Sequence, residues 1–227
     1  YHKLHYYMRN LGFSEDELVE GSLLVRNNNR VYDKFVNRVM FPIFDTRGNI
    51  IAYGGRALDP NAPAKYLNSS ETYVFQKRDN LFALNYAKNS KADYFILCEG
   101  YMDVISMHQA GFDSAVARWE PARLIGRMGK SEVILSYDAD GPGQKAASRG
   151  INLLSEAGVK ARVLQMSGAK DPDEYIKKFG AEAFAHLIES SGGAIDYELG
   201  KQSAGLDLNK EEDRAAYLKK AVVFLAT

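Results

Sequence analysis

Residues 133–147 read "VILSYDADGPGQKAA". An apolar run of strand length ends on two carboxylates, Asp138 and Asp140, one residue apart, and two glycines then open a stretch with helical spacing. In an extended segment residues i and i+2 face the same way, so Asp138 and Asp140 share one side where strand gives way to helix. Gly141 and Gly143 let the backbone turn sharply, and the first N–H groups of the helix can hold a phosphate.

Working outward, the same punctuation recurs. "YFILCEG" (94–100) is a short buried-type strand ending at Glu99, and "YMDVISMHQAG" (101–111) is a helix closed by Gly111 that carries Asp103 one turn after Glu99. "SAVA" (114–117) is another brief strand, "EPARLIGRMG" (120–129) a helix, and "KARVLQM" (160–166) a strand followed within a short loop by Asp171 and Asp173. Strands alternating with helices through tight turns predict a small, mostly parallel sheet with helices on its faces. In such a sheet the carboxyl ends of the strands form one ligand-binding edge, and an acidic residue follows each of three strands there. Like charges gathered on one rim repel unless a cation or protons join them. Oxygen ligands without Cys or His company favour magnesium or manganese over zinc. Asp-x-Asp before glycine also occurs in plain turns and helix caps, so on the residues alone a structural reading and a divalent-metal site both stand.

The chain of 227 residues, 46% hydrophobic, is long enough for one large or two small cores, which sets aside fibrous and wholly disordered classes. Lys plus Arg equals Asp plus Glu at 29 each, but unevenly: residues 26–91 carry 11 basic side chains against 5 acidic, and residues 92–227 carry 16 against 20. A basic part beside an acidic part suits nucleic acid next to cations. Cys98 is the only cysteine, inside an apolar run, and reads as a buried inert thiol; the four histidines lack zinc spacing. Nothing approaches 18 uninterrupted apolar residues, so a soluble protein of a reducing compartment is expected. The chain begins at Tyr1 instead of Met, which points to a piece of something longer.

Towards the amino terminus, "FSEDELVEG" (13–21) offers Ser14 as a helix cap and Gly21 as a stop, predicting one or two short helices before residue 22. "NNNRVYDKFVNRV" (27–39) reads as a turn and irregular chain. "VMFPIFDTRGNIIAYGGRALD" (39–59) reads as a hairpin turning at Asp45–Asn49, with Gly54 and Gly55 breaking the second strand before Arg56. A long polar surface loop to about Lys77 and a helix in "NLFALNYAKN" (80–89) follow. Beyond Pro172 the chain reads as wholly helical, with Leu218, Val222 and Leu225 on one face of the last helix.

"CEGYMDVISMHQAGF" (98–112) and "SYDADGPGQKAA" (136–147) resemble the two defining motifs of the toprim domain. The stretches "NRVMFPIFDTRGNIIAYGGRALD" (37–59), "KYLNSSETYVFQK" (65–77) and "DPDEYIKKFG" (171–180) are similar to the RNA-polymerase domain of the bacterial replicative primase family, in family order over about residues 30 to 190. The resemblance implies a toprim-type α/β fold: an N-terminal mixed α/β subdomain (1–91), a toprim metal-binding subdomain (92–170) and a C-terminal helical subdomain (171–227). It makes Glu99, Asp138 and Asp140 the catalytic and metal-binding acids, joined by Asp103, Asp171 and Asp173. Arg38, Arg56, Lys65, Tyr66 and Asn68 would line a basic face for template or nucleotide.

The implied reaction is magnesium-dependent nucleotidyl transfer, with manganese able to substitute, in which ribonucleoside triphosphates yield an RNA primer on a single-stranded DNA template. Replicative helicase and a zinc-binding domain would engage through parts of the full-length protein absent here. The setting would be the bacterial cytoplasm at the replication fork, with no membrane and a monomeric fragment. One departure stands out: after "AVA" the family has a glycine-containing stretch close to Ser-Leu-Gly-Thr-Ala, whereas this chain has the shorter "RWEPARLIG" (118–126) with Trp119 and Glu120. Two other classes compete, a non-catalytic toprim-like nucleic-acid-binding module and a toprim nuclease or topoisomerase fragment.

Overall fold

The computed structural model describes residues 2–28, 30–118, 129–137 and 141–225. Asp138 and Asp140, and the departure from Trp119 onward together with the helix expected over 120–129 up to Met128, lie outside the described residues.

Helices α1 (Lys3–Asn10) and α2 (Glu15–Glu20) open the chain. Ser14 caps α2 as its sequence predicts: its Oγ accepts from the Glu17 N–H, and the Glu17 carboxylate accepts from the Ser14 N–H at 2.8 Å. Strands β1 (Leu24–Asn27) and β2 (Arg30–Asp33) pair antiparallel, so the irregular chain expected here is a hairpin. Its purpose is local: the buried Asp33 carboxylate accepts from the backbone N–H groups of Leu4 and His5, capping α1 from a neighbouring element.

A second sheet follows, β3 (Arg38–Phe44), β4 (Ile50–Ala57) and β5 (Tyr66–Asn68), all antiparallel. The β3–β4 turn is held by the Asp45 carboxylate, which accepts from the N–H groups of Arg47 and Asn49. Two expectations are corrected. Gly54 and Gly55 do not break β4, which runs through both to Ala57 and pairs Gly54 with Phe41 on one side and Asn68 on the other. A side chain at either position would collide with a neighbour, so these glycines mark close packing instead of a strand end. The polar stretch before Lys77 is also no plain surface loop, for it supplies β5 and buries Phe75 completely against Ile43 and Ala52.

The main sheet contains β6 (Leu81–Phe82), β7 (Tyr94–Cys98), β8 (Ala115–Arg118), β9 (Glu132–Ser136), β10 (Lys160–Val163) and β11 (Gly192–Gly193), in the order β11-β10-β9-β7-β8-β6. The four middle strands are parallel, and the two edge strands run antiparallel to them. Helices α3 (Leu84–Ala87), α4 (Tyr101–Gln109), α5 (Gly141–Glu156), α6 (Pro172–Ser190), α7 (Ala194–Ser203) and α8 (Glu211–Leu225) complete the fold. Leu81 and Phe82, expected within a helix, form an edge strand, and only Leu84–Ala87 is helical. Nor is the chain beyond Pro172 wholly helical: Gly180, at φ +87°, kinks α6, and Gly192–Gly193 lies along β10. On α8 the buried residue is Ala221, while Leu218, Val222 and Leu225 face outward.

Alternation along the central strands sorts two cores. Phe95, Leu97, Val133 and Leu135 meet Ala147, Ile151 and Leu154 of α5 on one face. Ile96, Cys98 and Ile134 meet Val104 and Met107 of α4 and Phe184 and Ile188 of α6 on the other. Covered on both sides, these strands need the near-continuous apolar runs that their sequences have. The chain leaves β7 through α4 to β8 on one side and places β9 on the other, so the strand order reverses between β7 and β9. The crevice beyond the carboxyl ends of those two strands is where such sheets bind ligands. Among the described residues no helix is long and apolar enough to cross a membrane.

Candidate functional site

Cys98 ends β7 opposite Ser136 of β9, so Glu99 starts where the sheet opens at its reversal point. Glu99 is exposed there. β9 ends at Ser136 on this same edge; Asp138 and Asp140 follow it in the sequence and are outside the described residues. Asp103 sits in the first turn of α4 and accepts from the Gly100 N–H at 3.1 Å. Cys98 is fully buried, and burial, reinforced by the Asp103 charge, pushes its thiol well above the usual range, as an inert core cysteine requires.

The two later acids bind their own neighbourhood. Asp171 caps α6 by accepting from the Glu174 N–H at 2.8 Å. Asp173 accepts from Ser106 Oγ of α4 and from Lys177 Nζ, both at 2.5 Å. Partial burial opposes its ionisation, but the bonds from Lys177 and Ser106 outweigh it and hold the carboxyl below its ordinary value. Because Ser106 lies one helical turn after Asp103, the Ser106 bond brings Asp173 to the helix that carries Asp103.

Among the described residues no group of three His, Cys, Asp or Glu side chains is close enough to hold a metal ion. The described donors are nonetheless of one chemical kind, hard carboxylate oxygen. Ser136 Oγ, at the end of β9 beside this edge, is buried and finds no hydrogen-bond partner among the described residues. An orphaned hydroxyl in that position fits a site completed by a further ligand.

Facing this edge is the three-stranded sheet. Arg56 on β4 pairs in register with Tyr66 on β5, and the Arg56 guanidinium and Lys65 ammonium lie 6.0 and 5.9 Å from the Tyr66 ring. Burial raises the Tyr66 hydroxyl pKa; the Arg56 charge lowers it in part, and the Asp103 charge raises it further. Tyr66 therefore feels a cation of the small sheet and an anion of the main sheet at once. Arg38 differs from Arg56 and Lys65: its guanidinium donates to the carbonyls of Gly55, Ala64 and Lys65, pinning the approach to β5. Asn68 Oδ1 accepts from the hydroxyl of Tyr101 at 2.6 Å.

Tyr101 escaped the sequence reading. It is the first residue of α4, two after Glu99, and its ring stacks on Phe41 at 5.2 Å and 12° and meets Phe82 edge-on at 4.7 Å. Its trace in the sequence is the Gly54–Gly55 pair, whose missing side chains leave the room it fills. Ser106 and Lys177 were likewise missed, and no local pattern would have paired them with Asp173.

Residues 1–88 match the family described as the DNA primase catalytic core, N-terminal domain, and residues 96–176 match the Toprim-like family. A DNA primase of Clostridium acetobutylicum is 44% identical over 220 residues, covering 94% of this chain and 37% of the relative. The chain thus spans well under half the length of that relative. Among solved structures, a DnaG primase catalytic domain bound to single-stranded DNA superposes with a TM-score of 0.79 at 33% identity, covering 92% of this chain and 69% of the other. A DNA primase domain from Pseudomonas aeruginosa gives 0.80 at 33%, covering 92% and 70%.

Proposed function

Because the chain belongs to the toprim-containing catalytic-core family of bacterial DNA primases, we propose that it synthesises short RNA primers on single-stranded DNA from ribonucleoside triphosphates. The observation that carries this reading is the meeting of two charge systems at one edge: Glu99 and Asp103 beyond β7, and Arg56, Lys65 and Tyr66 on the strands opposite. The solved relative that holds single-stranded DNA supports a nucleic-acid template for this chain.

In the reaction a ribose 3′-hydroxyl oxygen attacks the α-phosphorus of a second nucleoside triphosphate. The bond from that phosphorus to the bridging oxygen breaks, pyrophosphate leaves with the electron pair, and the hydroxyl proton passes to solvent or to a carboxylate. Bound magnesium, or manganese in its place, would lower the hydroxyl pKa and offset the charge gathering on the phosphorus oxygens. Glu99, Asp138 and Asp140 are the acids assigned to hold it, with Glu99 also able to take the proton. Asp103, Asp171 and Asp173 serve the second part of the site. Asp171 and Asp173 already have helix-cap and ion-pair duties, so their contribution is through orientation or exchange of those bonds. Arg56 and Lys65 hold phosphates, Tyr66 offers a ring to a base, Asn68 an amide, and Arg38 keeps the β4–β5 connection in place.

On this reading 1–91, 92–170 and 171–227 act as a template-facing, a metal-binding and a helical part. The setting is the bacterial cytoplasm at the replication fork, and helicase and zinc-binding contacts belong to other parts of the longer protein. The test is incorporation of labelled ribonucleotides on single-stranded DNA with magnesium or manganese. Glu99→Gln is expected to lower incorporation by about a thousandfold while leaving the thermal midpoint unchanged, since Glu99 is exposed. Full activity in that variant would overturn the assignment of Glu99; binding of single-stranded DNA without incorporation by the wild-type chain would favour a binding module, and strand cleavage in place of synthesis a nuclease.

A further inference from the structure

One side chain joins the two charge systems. Tyr101 belongs to the acidic side by sequence, two residues after Glu99, yet its ring and hydroxyl reach across to Phe41, Tyr66, Asn68 and Phe82. Tyr101 is 5% exposed although α4 begins at the sheet's open edge. The fit is tight. A Cβ built on Gly54 would lie 2.6 Å from the Tyr101 ring carbon Cζ and its hydroxyl oxygen, closer than side chains tolerate. Gly54 is also the residue paired with Asn68 across β4 and β5. With Phe41 paired to Gly54 on the other side, ring and hydroxyl thus touch three strands at a single register position.

Packing alone does not account for a tyrosine here. A phenylalanine would keep the stack on Phe41 and the contact with Gly54, and a buried hydroxyl is tolerated only when it finds a partner. Asn68 Oδ1 accepts from it at 2.6 Å. A carboxamide whose oxygen accepts from a fixed donor has its orientation set, and its N–H₂ end, which donates, then points the other way. Donors of that kind suit the acceptor oxygens of a nucleoside triphosphate.

Resting on the polymerase reading above, we infer that Tyr101 is a positioning residue: its hydroxyl orients the Asn68 amide, and its ring sets the separation between the Glu99 edge and the nucleotide-holding strand β5. Metal ligation is left to the acids, so loss of the hydroxyl acts on nucleotide binding and not on metal binding.

The test is a double-mutant cycle in the 227-residue chain with Tyr101→Phe, Asn68→Ala and the pair, read by steady-state ribonucleotide incorporation and by manganese affinity from electron paramagnetic resonance. Tyr101→Phe is expected to raise the KM for the ribonucleotide about tenfold, with kcat changed by less than about twofold. The double variant is expected to be no worse than Asn68→Ala, within about twofold, because one hydroxyl works through one amide. Manganese affinity stays at the wild-type value in all three. A Tyr101→Phe variant with wild-type KM, losses that multiply in the double variant, or loss of manganese binding each overturn the inference while wild-type activity upholds the polymerase reading. A wild-type chain that incorporates nothing overturns that reading itself.

Discussion

The two sheets of this molecule solve different problems. The main sheet is buried on both faces, and its central strands, "YFILC" and "EVILS", bury every residue after the first. The small sheet has one packed side, with Ile43 and Ala52 over Phe75, while Val39, Met40 and Ile50 remain exposed. Rigidity follows burial, because a close-packed strand cannot shift without opening space around it. The main sheet can therefore hold like charges at a fixed edge, while the small sheet presents long side chains, Arg56 and Lys65, that reach outward. Charge repulsion is costly only where groups are held still, so the acids belong on the stiffer of the two.

That contrast is broken or sharpened first by emptying each core in turn. Phe95 lies at the centre of the main sheet, packed among strands and α5, and Phe75 plugs the small one; both are fully buried. Phe95→Ala is expected to cost about 3–5 kcal/mol. Phe75→Ala should fall at the low end of that range, about 3 kcal/mol, since among the described residues its cluster is small, Ile43 and Ala52 with the half-buried Ile51 and Phe82, and a loop can settle into the gap. Urea denaturation of the two variants measures the difference. Equal losses would mean that the small sheet is as tightly constrained as the main one, and the division of labour would fail.

A smaller effect is expected where the sheets meet. Gly54→Ala places a methyl where the Tyr101 ring lies, and overpacking of that kind costs about 1–3 kcal/mol. Combining it with Tyr101→Ala should remove most of the added cost, because the atoms nearest that methyl all belong to Tyr101; thermal melts of the single and double variants check this. If the double variant is as far below Tyr101→Ala as Gly54→Ala is below wild type, Gly54 is required for some reason other than Tyr101.

The same junction marks the limit of what could be read from the residues alone. "YFILC" and "VILSY" were legible because a strand buried on both faces needs an unbroken apolar run, and Glu99 was legible because strand ends in a parallel sheet share an edge. Gly54 and Gly55 look like a break in any local reading. Only Tyr101, 47 positions away from Gly54 in sequence, explains why the strand continues through them. The β1–β2 hairpin was hidden for a similar reason, since Asp33 serves a helix 28 residues earlier. Asp173 carried a recognisable motif, but its bond to Ser106 spans 67 residues. Arg38 was grouped with Arg56 and Lys65 by charge, and only the carbonyls around its guanidinium distinguish it. For Asp138 and Asp140 the motif remains the whole argument, as both lie outside the described residues.

The smallest effects belong to the feature that was most local and most legible, the capping box of α2. Ser14→Ala removes the oxygen that accepts from the Glu17 N–H and is expected to cost about 1 kcal/mol. Glu17 contributes through its charge: bonds from the backbone and hydroxyl of Ser14 hold its carboxyl below the usual value, against a slight opposing effect of burial. A carboxyl with a depressed folded-state pKa adds stability above its unfolded value, about 4.3, and loses it as pH falls through the folded value. The deficit of Glu17→Gln relative to wild type should therefore be full at pH 7 and close under more acidic conditions, where the wild-type carboxyl is protonated as well. Thermal midpoints of both proteins across that range measure the gap. A gap that stays constant with pH would mean that the side chain acts by shape and not by charge.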